Sequence, residues 1–171
     1  MSEAAPAEPT RTLVLMGPSG AGKSTVGARA AKLARVPFFE GDAYHPPSNV
    51  EKIRSGGSLS NEDRMPWIAA IGRGIAEAAP PKALLACSAL NQDIRDALKA
   101  ALPGPCAFAL LVVPADELRR RLEARKDHFA GPALLESQIA AMDDAVGVVR
   151  LDGTQPIGRV AHSAAQLVKT L

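Results

Sequence analysis

The amino-acid sequence predicts an α/β fold, in which a five-stranded parallel sheet is covered by helices on both faces. Two observations indicate this fold class. Short apolar segments alternate with longer amphipathic segments, and the first apolar segment leads directly into a glycine-rich loop. The 171 residues are enough for one domain with a substantial core. In a sheet of this type, ligands bind at the carboxyl ends of the strands.

Five short apolar segments are predicted to be the buried strands of this sheet. They span residues 12–16, 36–39, 83–87, 107–113 and 146–151. Between them, apolar side chains recur every three or four positions, which is the pattern of helices that bury one face. The predicted buried faces contain Val26, Ala30, Leu33 and Ala34; Trp67, Ile71 and Ile75; Ile94, Ala97, Leu98 and Ala101; and Val160, Ala164, Leu167, Val168 and Leu171. Trp67 is thus interpreted as a core residue rather than a platform for a sugar.

One connection is much longer than the others. Residues 40–82 separate the second strand from the third, more than a simple crossover needs. We expect a substrate-binding insertion at about residues 42–80 and a lid at about residues 119–142, both within a single domain of residues 11–171. Residues 1–10 have neither the basic nor the apolar region of a secretory signal, and we expect a short disordered tail.

The composition gives no indication of a nucleic-acid or membrane partner. Lysine and arginine number 20 against 18 aspartates and glutamates, so there is no strong basic field. The longest apolar run, residues 106–113, is too short to cross a bilayer. Cys87 and Cys106 lack the spacing of metal ligands, and we interpret them as reduced core residues. We expect a soluble, cytoplasmic protein, and the sequence leaves a homodimer open.

The glycine-rich loop is GPSGAGKST, residues 17–25, and it matches the complete P-loop pattern between a predicted strand and a predicted helix. Glycines let successive backbone N–H groups face the phosphates of a nucleotide, and the helix N-terminus adds its positive dipole end. Lys23 is predicted to contact the β- and γ-phosphates, and Ser24 to coordinate Mg²⁺. The predicted ATP-binding residues of the loop are Gly17, Ser19, Gly20, Ala21, Gly22, Lys23, Ser24 and Thr25.

Acidic residues follow the second strand rather than the third. The third predicted strand ends in Cys87-Ser88, where other P-loop classes usually have an acidic residue. Glu40 and Asp42 lie two positions apart at the end of the second strand, so alternation directs both towards the same crevice. We expect Glu40 to coordinate Mg²⁺ through water and Asp42 to accept the proton of the substrate hydroxyl. Either residue could instead be a turn acid.

The segment that follows carries a family resemblance. GDAYHPPSNVEKIRSGGSLSNEDRMPW, residues 41–67, is similar to the substrate region of the small bacterial-type gluconokinases. CSAL (residues 87–90), RLEARKDHF (121–129) and LLESQ (134–138) recur in the order found in that family. The resemblance covers the chain after its N-terminal tail. It implies a nucleoside-monophosphate-kinase-like fold and transfer of the ATP γ-phosphate to the 6-hydroxyl of D-gluconate.

The chain departs from the family pattern at several positions. Asn91 stands where family members usually have Lys or Arg, Ile94 where they have an aromatic residue, and Asp127 where the lid turn has glycine. The sequence MDDA, residues 142–145, replaces the usual Leu-Glu-x-Pro. The missing cation bears on which sugar acid is used more than on the type of reaction.

Three residues of the insertion are predicted to bind the acceptor next to Asp42. Asn49 and Lys52 are three positions apart, so on a helix they share a face that could offer an amide and an ammonium group to a sugar acid. His45 precedes that helix, where Pro46 and Pro47 favour an extended entry. The alternatives are a solvated helix face for Asn49 and Lys52 and a helix cap for His45.

Two arginines are further candidates for the acceptor. A guanidinium group matches a planar carboxylate in a bidentate manner, which suits Arg64 to a sugar acid. Arg95 follows the third strand by about one helical turn and is expected near the same crevice. Arg64 could instead pair with Asp63 or Glu62, and Arg95 could be a surface charge.

The predicted lid carries a cationic helical face. Arg121, Arg125 and His128 share that face, and Leu118 and Leu122 lie opposite. The resemblance implies that Arg121 packs near the adenine and that Arg125 approaches the phosphates, while His128 belongs with the acceptor-binding residues. A plain solvated face is the alternative.

Gln155-Pro156, directly after the last strand, lies where this fold usually passes the edge of the adenine. With Lys23, Asp42 and Arg125 as catalytic residues, the sequence predicts an ATP- and Mg²⁺-dependent gluconokinase. Two other functions stay open: another small-molecule kinase of the same build, such as a shikimate-like or sugar-acid kinase, and a nucleotide-binding regulatory module without turnover. A base together with a lid arginine favours an enzyme.

Overall fold

A computed structural model of the chain describes residues 8–125 and 131–171. Its five described strands form one parallel sheet with the order β2-β3-β1-β4-β5. The strands are β1 (Arg11–Met16), β2 (Phe38–Glu40), β3 (Lys82–Ala86), β4 (Cys106–Val112) and β5 (Val149–Asp152). The predicted α/β fold with a five-stranded parallel sheet is confirmed. Most strand boundaries move by one or two residues.

The fifth strand begins later than the sequence predicts. Val146 is 88% exposed, and the preceding Ala145 has a φ of 44°, so this part of the chain turns instead of extending. Pairing with β4 starts at Val149, opposite Ala109. The apolar run used to predict β5 therefore includes residues of the preceding turn, and the predicted start is three residues too early.

Helices cover both faces of the sheet. They are α1 (Lys23–Ala34), α2 (Pro47–Arg54), α3 (Asn61–Ala78), α4 (Gln92–Ala101), α5 (Ala115–Ala124), α6 (Pro132–Ala141) and α7 (Ile157–Thr170), with a 3-10 helix at Gly41–Tyr44. None of the helices in the described residues is long and apolar enough to cross a membrane. The connection from β2 to β3 consists of the 3-10 helix, α2 and α3, and this segment is called the insertion below.

The core has one apolar cluster on each face of the sheet. On one face α1 and α7 pack against the sheet, with Val26 and Ala164 among the buried residues. On the other face α3 and α4 pack together, and the predicted core role of Trp67 is confirmed by its 1% exposure. Leu33 is a correction, since it is 46% exposed. The buried residues of α1 are Val26, Gly27, Ala30 and Ala31, an arc that leaves Leu33 at its margin.

The contact between α3 and α4 depends on a glycine. A Cβ atom at Gly72 would lie 2.3 Å from the Ala101 carbonyl oxygen, and a backbone atom cannot move aside cheaply. Gly158 in α7 is a matched control, because a Cβ there meets only the end of the Arg29 side chain at 3.2 Å.

We expect Gly72→Ala to lower the free energy of unfolding by about 1–3 kcal/mol, since overpacking outweighs the gain in helix propensity. Gly158→Ala should leave it unchanged or raise it by up to about 1 kcal/mol. Urea unfolding of both variants checks this, and equal effects would contradict a tight α3–α4 contact.

Candidate active site

The loop between β1 and α1 has the form predicted for a phosphate cradle. Gly20 and Gly22 adopt φ values of 85° and 97°, a left-handed conformation that residues with a side chain rarely adopt. The Gly17 N–H donates to the Ser88 carbonyl at 3.2 Å, which fixes the loop to the end of β3. Lys23 begins α1, so the unpaired N–H groups of the first helical turn are available to an anion.

The Lys23 ammonium group lies over this loop. Its Nζ donates to the Pro18 carbonyl at 3.0 Å. Burial lowers the pKa of Lys23, and the neighbouring carboxylates of Asp42 and Glu40 partly offset this effect. A phosphate group arriving in the loop would stabilise the charged ammonium form.

Ser24 and Glu40 supply oxygen atoms beside the loop. The Ser24 hydroxyl donates a hydrogen bond to the Glu40 carboxylate, and Glu40 is the last residue of β2. Asp42 follows in the 3-10 helix. Within the described ranges no group of three His, Cys, Asp or Glu side chains could hold a metal ion. A hydroxyl and a carboxylate beside a phosphate loop fit Mg²⁺, which keeps several waters and binds through one or two carboxylates plus phosphate oxygens.

A cavity of about 220 Å³ joins the P-loop to the insertion and to α5 and α6. It brings together predicted nucleotide-binding and acceptor-binding residues from segments far apart in the sequence. Its charged and polar side chains are Ser19, Lys23, Ser24, Asp42, His45, Arg64, Ser88, Arg125 and Gln138. A phosphate donor and a small polar acceptor could meet in this cavity, with cations and one carboxylate around the point of contact.

His45 and Arg64 form the insertion's side of the cavity. The Arg64 Nη1 donates to the Asn61 side-chain oxygen at 3.4 Å. Burial lowers the pKa of the Arg64 side chain, and it lowers the pKa of His45. A partly dehydrated guanidinium group favours an anionic partner, and a neutral imidazole can donate one hydrogen bond and accept another.

Asn49 and Lys52 do not line the cavity, and their contact with an acceptor stays a prediction. The Lys52 Nζ lies 2.6 Å from an Asp63 carboxylate oxygen, and the buried Asn49 amide donates to the Asp63 carbonyl at 2.9 Å. Both side chains join α2 to the start of α3, where Asp63 and Ser60 form a capping box. Because Lys52 holds the Asp63 carboxylate, the alternative pairing of Arg64 with Asp63 is not formed.

Arg95 does not line the cavity either, and its contact with an acceptor also stays a prediction. Its side chain is buried, and one terminal nitrogen lies 2.8 Å from both carboxylate oxygens of Asp143. The same guanidinium group donates to the Ala89 carbonyl and to the Gln92 side chain, each at 3.1 Å. A buried cation needs such partners, and they hold it away from the cavity. Arg95 thus fixes the connection between α6 and β5 to the end of β3.

A second cavity, of about 420 Å³, lies between the P-loop, α5 and the start of α7. Arg121 lines it and donates to the carbonyls of Gly153 at 2.9 Å and Gly20 at 3.3 Å. Gln155 is a further lining residue, while Arg125 borders both cavities. The arrangement suits an adenine on one side and the phosphates between the two cavities.

Among the described residues predicted to contact the adenine, Pro156 is not part of the cavity lining. Pro156 is the residue before α7 and does not line the second cavity, whereas Ile157 and Val160 do. Its fixed φ starts the helix instead. His128 lies outside the described residues, as do the rest of the predicted lid turn, residues 127–129, and most of the predicted tail.

The first cavity is also lined by three residues for which no role in binding was predicted: Gln138, Ser88 and Trp67. Gln138 lies on α6, and its side-chain oxygen accepts a hydrogen bond of 2.8 Å from the Ser19 N–H of the P-loop. The LLESQ motif was the available signal for Gln138. What the motif does not give is the partner, 119 residues away in the chain.

A phosphate loop, a carboxylate and a guanidinium group in one cavity of a parallel α/β sheet define a P-loop kinase. No protein-family model matches the chain. It is 35% identical to the thermoresistant gluconokinase of Escherichia coli over 162 residues, which cover 91% of this chain and 92% of that protein. It is 40% identical to a gluconokinase of Gluconobacter oxydans over 148 residues, which cover 84% and 83%.

The chain is also similar to a gluconokinase of known structure. A gluconokinase from Sinorhizobium meliloti 1021 superposes with a TM-score of 0.79 at 38% identity, covering 93% of this chain and 94% of that one. The chain belongs to the gluconokinase family.

We expect Gln138→Glu to weaken ATP binding by about tenfold, roughly 1.4 kcal/mol, because a carboxylate would face the incoming phosphates at the Ser19 N–H. Gln138→Ala removes the side-chain oxygen without adding a charge and should change the affinity by less than about threefold. Calorimetric titration with a non-hydrolysable ATP analogue compares the two. Equal losses in both variants would contradict a position next to the phosphates.

Proposed function

We propose that this protein transfers the γ-phosphoryl group of ATP to the 6-hydroxyl group of D-gluconate, giving 6-phospho-D-gluconate. The observation that carries the proposal is the cavity in which Lys23 of the P-loop, Asp42 and Arg64 meet. Membership of the gluconokinase family supports the same acceptor. Because ATP is the phosphoryl donor, the expected compartment is the cytoplasm.

The donor is held by the P-loop side of the site. Lys23 and the backbone N–H groups from Gly17 to Thr25 would hold the phosphates, with the α1 N-terminus directed at them. Arg121 and Gln155 would flank the adenine in the second cavity, and Arg125 would contact the transferring phosphoryl group from its position between the two cavities.

Magnesium is the expected cofactor. Ser24 would hold it directly and Glu40 through a water molecule, consistent with their mutual contact beside the P-loop. When bound, Mg²⁺ supplies positive charge to the β- and γ-phosphate oxygens. The protein's own cations, Lys23 and Arg125, add to that charge on the remaining sides.

The acceptor is held by the insertion. Arg64 would bind the carboxylate of the sugar acid, and His45 would exchange hydrogen bonds with its hydroxyl groups. Asp42 would orient the terminal hydroxyl in line with the γ-phosphate and take its proton as the new bond forms. A primary alcohol does not ionise near neutral pH, and phosphoryl transfer needs little charge on the nucleophile until late. Asp42 therefore need not remove the proton before the attack and can take it as the bond forms.

One assay tests the proposal as a whole. ADP release should be measured with D-gluconate, other aldonates, glycerate, shikimate and nucleoside monophosphates as acceptors. Gluconate should give the highest kcat/KM. A higher value for another acid would reassign the substrate, and no ADP release with any acceptor would favour a nucleotide-binding module.

We expect Arg64→Ala to raise the KM for gluconate by roughly ten- to a hundredfold, since a charge-assisted hydrogen bond contributes about 1.5–3 kcal/mol. The KM for ATP should stay within about threefold. Arg73→Ala, at an exposed arginine later in α3, is the matched control and should change neither constant. Steady-state kinetics with both substrates check this, and equal losses for ATP and gluconate would make Arg64 a structural residue.

We expect Asp42→Asn to lower kcat by about 10²–10⁴, because the amide keeps the shape of the side chain but cannot take the proton. ATP affinity should remain within a few-fold, as Lys23 and the P-loop are unchanged. Single-turnover rates and nucleotide titrations separate the two effects. If most of kcat is retained, Asp42 is not the base. If nucleotide binding is lost as well, Asp42 belongs to the Mg²⁺ site instead.

A further inference from the structure

The indole of Trp67 contacts the 3-10 helix on both sides of Asp42. Its Nε1–H donates to the Gly41 carbonyl at 2.7 Å, in a buried hydrogen bond. Its ring stacks on the His45 ring with a centroid distance of 4.2 Å and an interplanar angle of 13°. Gly41 is the first residue of the 3-10 helix and His45 its C-terminal cap, so one side chain of α3 holds both ends of the segment that carries Asp42.

We propose that Trp67 is a positioning residue for phosphoryl transfer, which acts through the Gly41 carbonyl and the His45 ring to hold Asp42 in the cavity. The proposal rests on the proposed function, in which Asp42 orients the acceptor hydroxyl and takes its proton. Trp67 itself need not touch the reacting atoms. Its role goes beyond filling the core between α3 and the sheet.

The Asp42 segment is held by packing against β3 and α3 and by few hydrogen bonds besides that of Trp67. Within residues 8–125 and 131–171 the Asp42 carboxylate has no hydrogen-bond donor, and the Lys23 ammonium group is close enough to interact with its charge. The hydrogen bond that closes the 3-10 helix, from the His45 N–H to the Asp42 carbonyl, is long at 3.5 Å. The strand before it, β2, has only three residues. A displacement of about 1 Å at a reacting group can cost about a hundredfold in rate.

The backbone at Gly41 fits closely against β3. A Cβ atom at Gly41 would lie 2.4 Å from the Ala86 carbonyl oxygen, so the chain is pressed against the end of the neighbouring strand. The buried Gly41 carbonyl takes its hydrogen bond from the indole. A phenylalanine could fill most of the same volume but would leave this carbonyl without a donor. Removing only the N–H group of Trp67 therefore distinguishes a positioning role from a packing role.

The test replaces only that polar atom. Trp67 is the single tryptophan of the chain, so it can be replaced with 3-benzothienylalanine, in which sulfur stands in place of the indole N–H. We expect kcat to fall by about tenfold or more, with the KM for ATP within about twofold. Ile71→Val, on the same buried face of α3, is the control for lost packing and should lower the melting temperature while kcat stays unchanged.

A double variant shows whether the effect passes through Asp42. In an Asp42→Asn background the isostere should cause no further loss of kcat, because the two changes remove the same contribution. Full additivity, or a full kcat for the isostere alone, would overturn the proposal. If Asp42→Asn alone keeps its kcat, the assignment of Asp42 as the base fails. If Asp42→Asn loses its kcat but the isostere keeps it, only the positioning role of Trp67 fails.

A measurement on the unmodified protein covers the case in which the variants fold poorly. With one tryptophan, the ¹H–¹⁵N spectrum has a single indole signal. We expect its proton to exchange with solvent at least a hundredfold more slowly than in free tryptophan, as a buried hydrogen bond requires. Exchange at the free rate would show that the bond to Gly41 is not formed and would overturn the proposal.

Discussion

Parallel pairing of β1 with β3 on one side and β4 on the other constrains every other part of the site. Because the three strands run in the same direction, their carboxyl ends meet at one edge, and the P-loop that follows β1 lies between the segments that follow its neighbours. The bond from the Gly17 N–H to the Ser88 carbonyl is a direct consequence. The third strand needs no acidic residue there, since β2, the next strand outward, ends in Glu40 close to Ser24.

The insertion is held together by one carboxylate. Asp63 closes the capping box of α3 and binds Lys52 of α2, and its pKa is lowered to about 2, chiefly by the hydrogen bond from Lys52. A lowered carboxyl pKa means that this contribution to stability is complete above the unfolded pKa near 4 and is lost as the pH falls towards 2. Near neutral pH, Asp63 therefore keeps α2 and α3 joined and leaves the next residue, Arg64, on the cavity side.

Local patterns in the sequence predicted the features that depend on local physics. The P-loop, the strands and the buried face of α3 follow from glycine spacing and from apolar periodicity, which act within a few residues. The partners of Asn49, Lys52 and Arg95 could not be predicted from the sequence because each partner is distant along the chain: Arg95 binds Asp143, 48 residues later. The same reason explains why the contact of Gln138 with Ser19 could not be foreseen. Distance along the chain, and not the chemistry of the residue type, limited the prediction.

The departures from the family pattern leave Arg64 with a larger share of acceptor recognition. Asn91, where a cation is usual, caps α4 by accepting from the Ile94 N–H at 3.0 Å, and Ile94 is buried in the core. Arg95 and Lys52 are engaged by carboxylates. Among the described residues, Lys23, Arg64 and Arg125 are the cations that line the main cavity, and Lys23 and Arg125 lie on its phosphate side. In the proposed function, a sugar-acid carboxylate would therefore meet its cation at Arg64. Partial burial makes that charge more effective than a solvated one, and an uncharged polyol would offer nothing to offset the cost of dehydrating it.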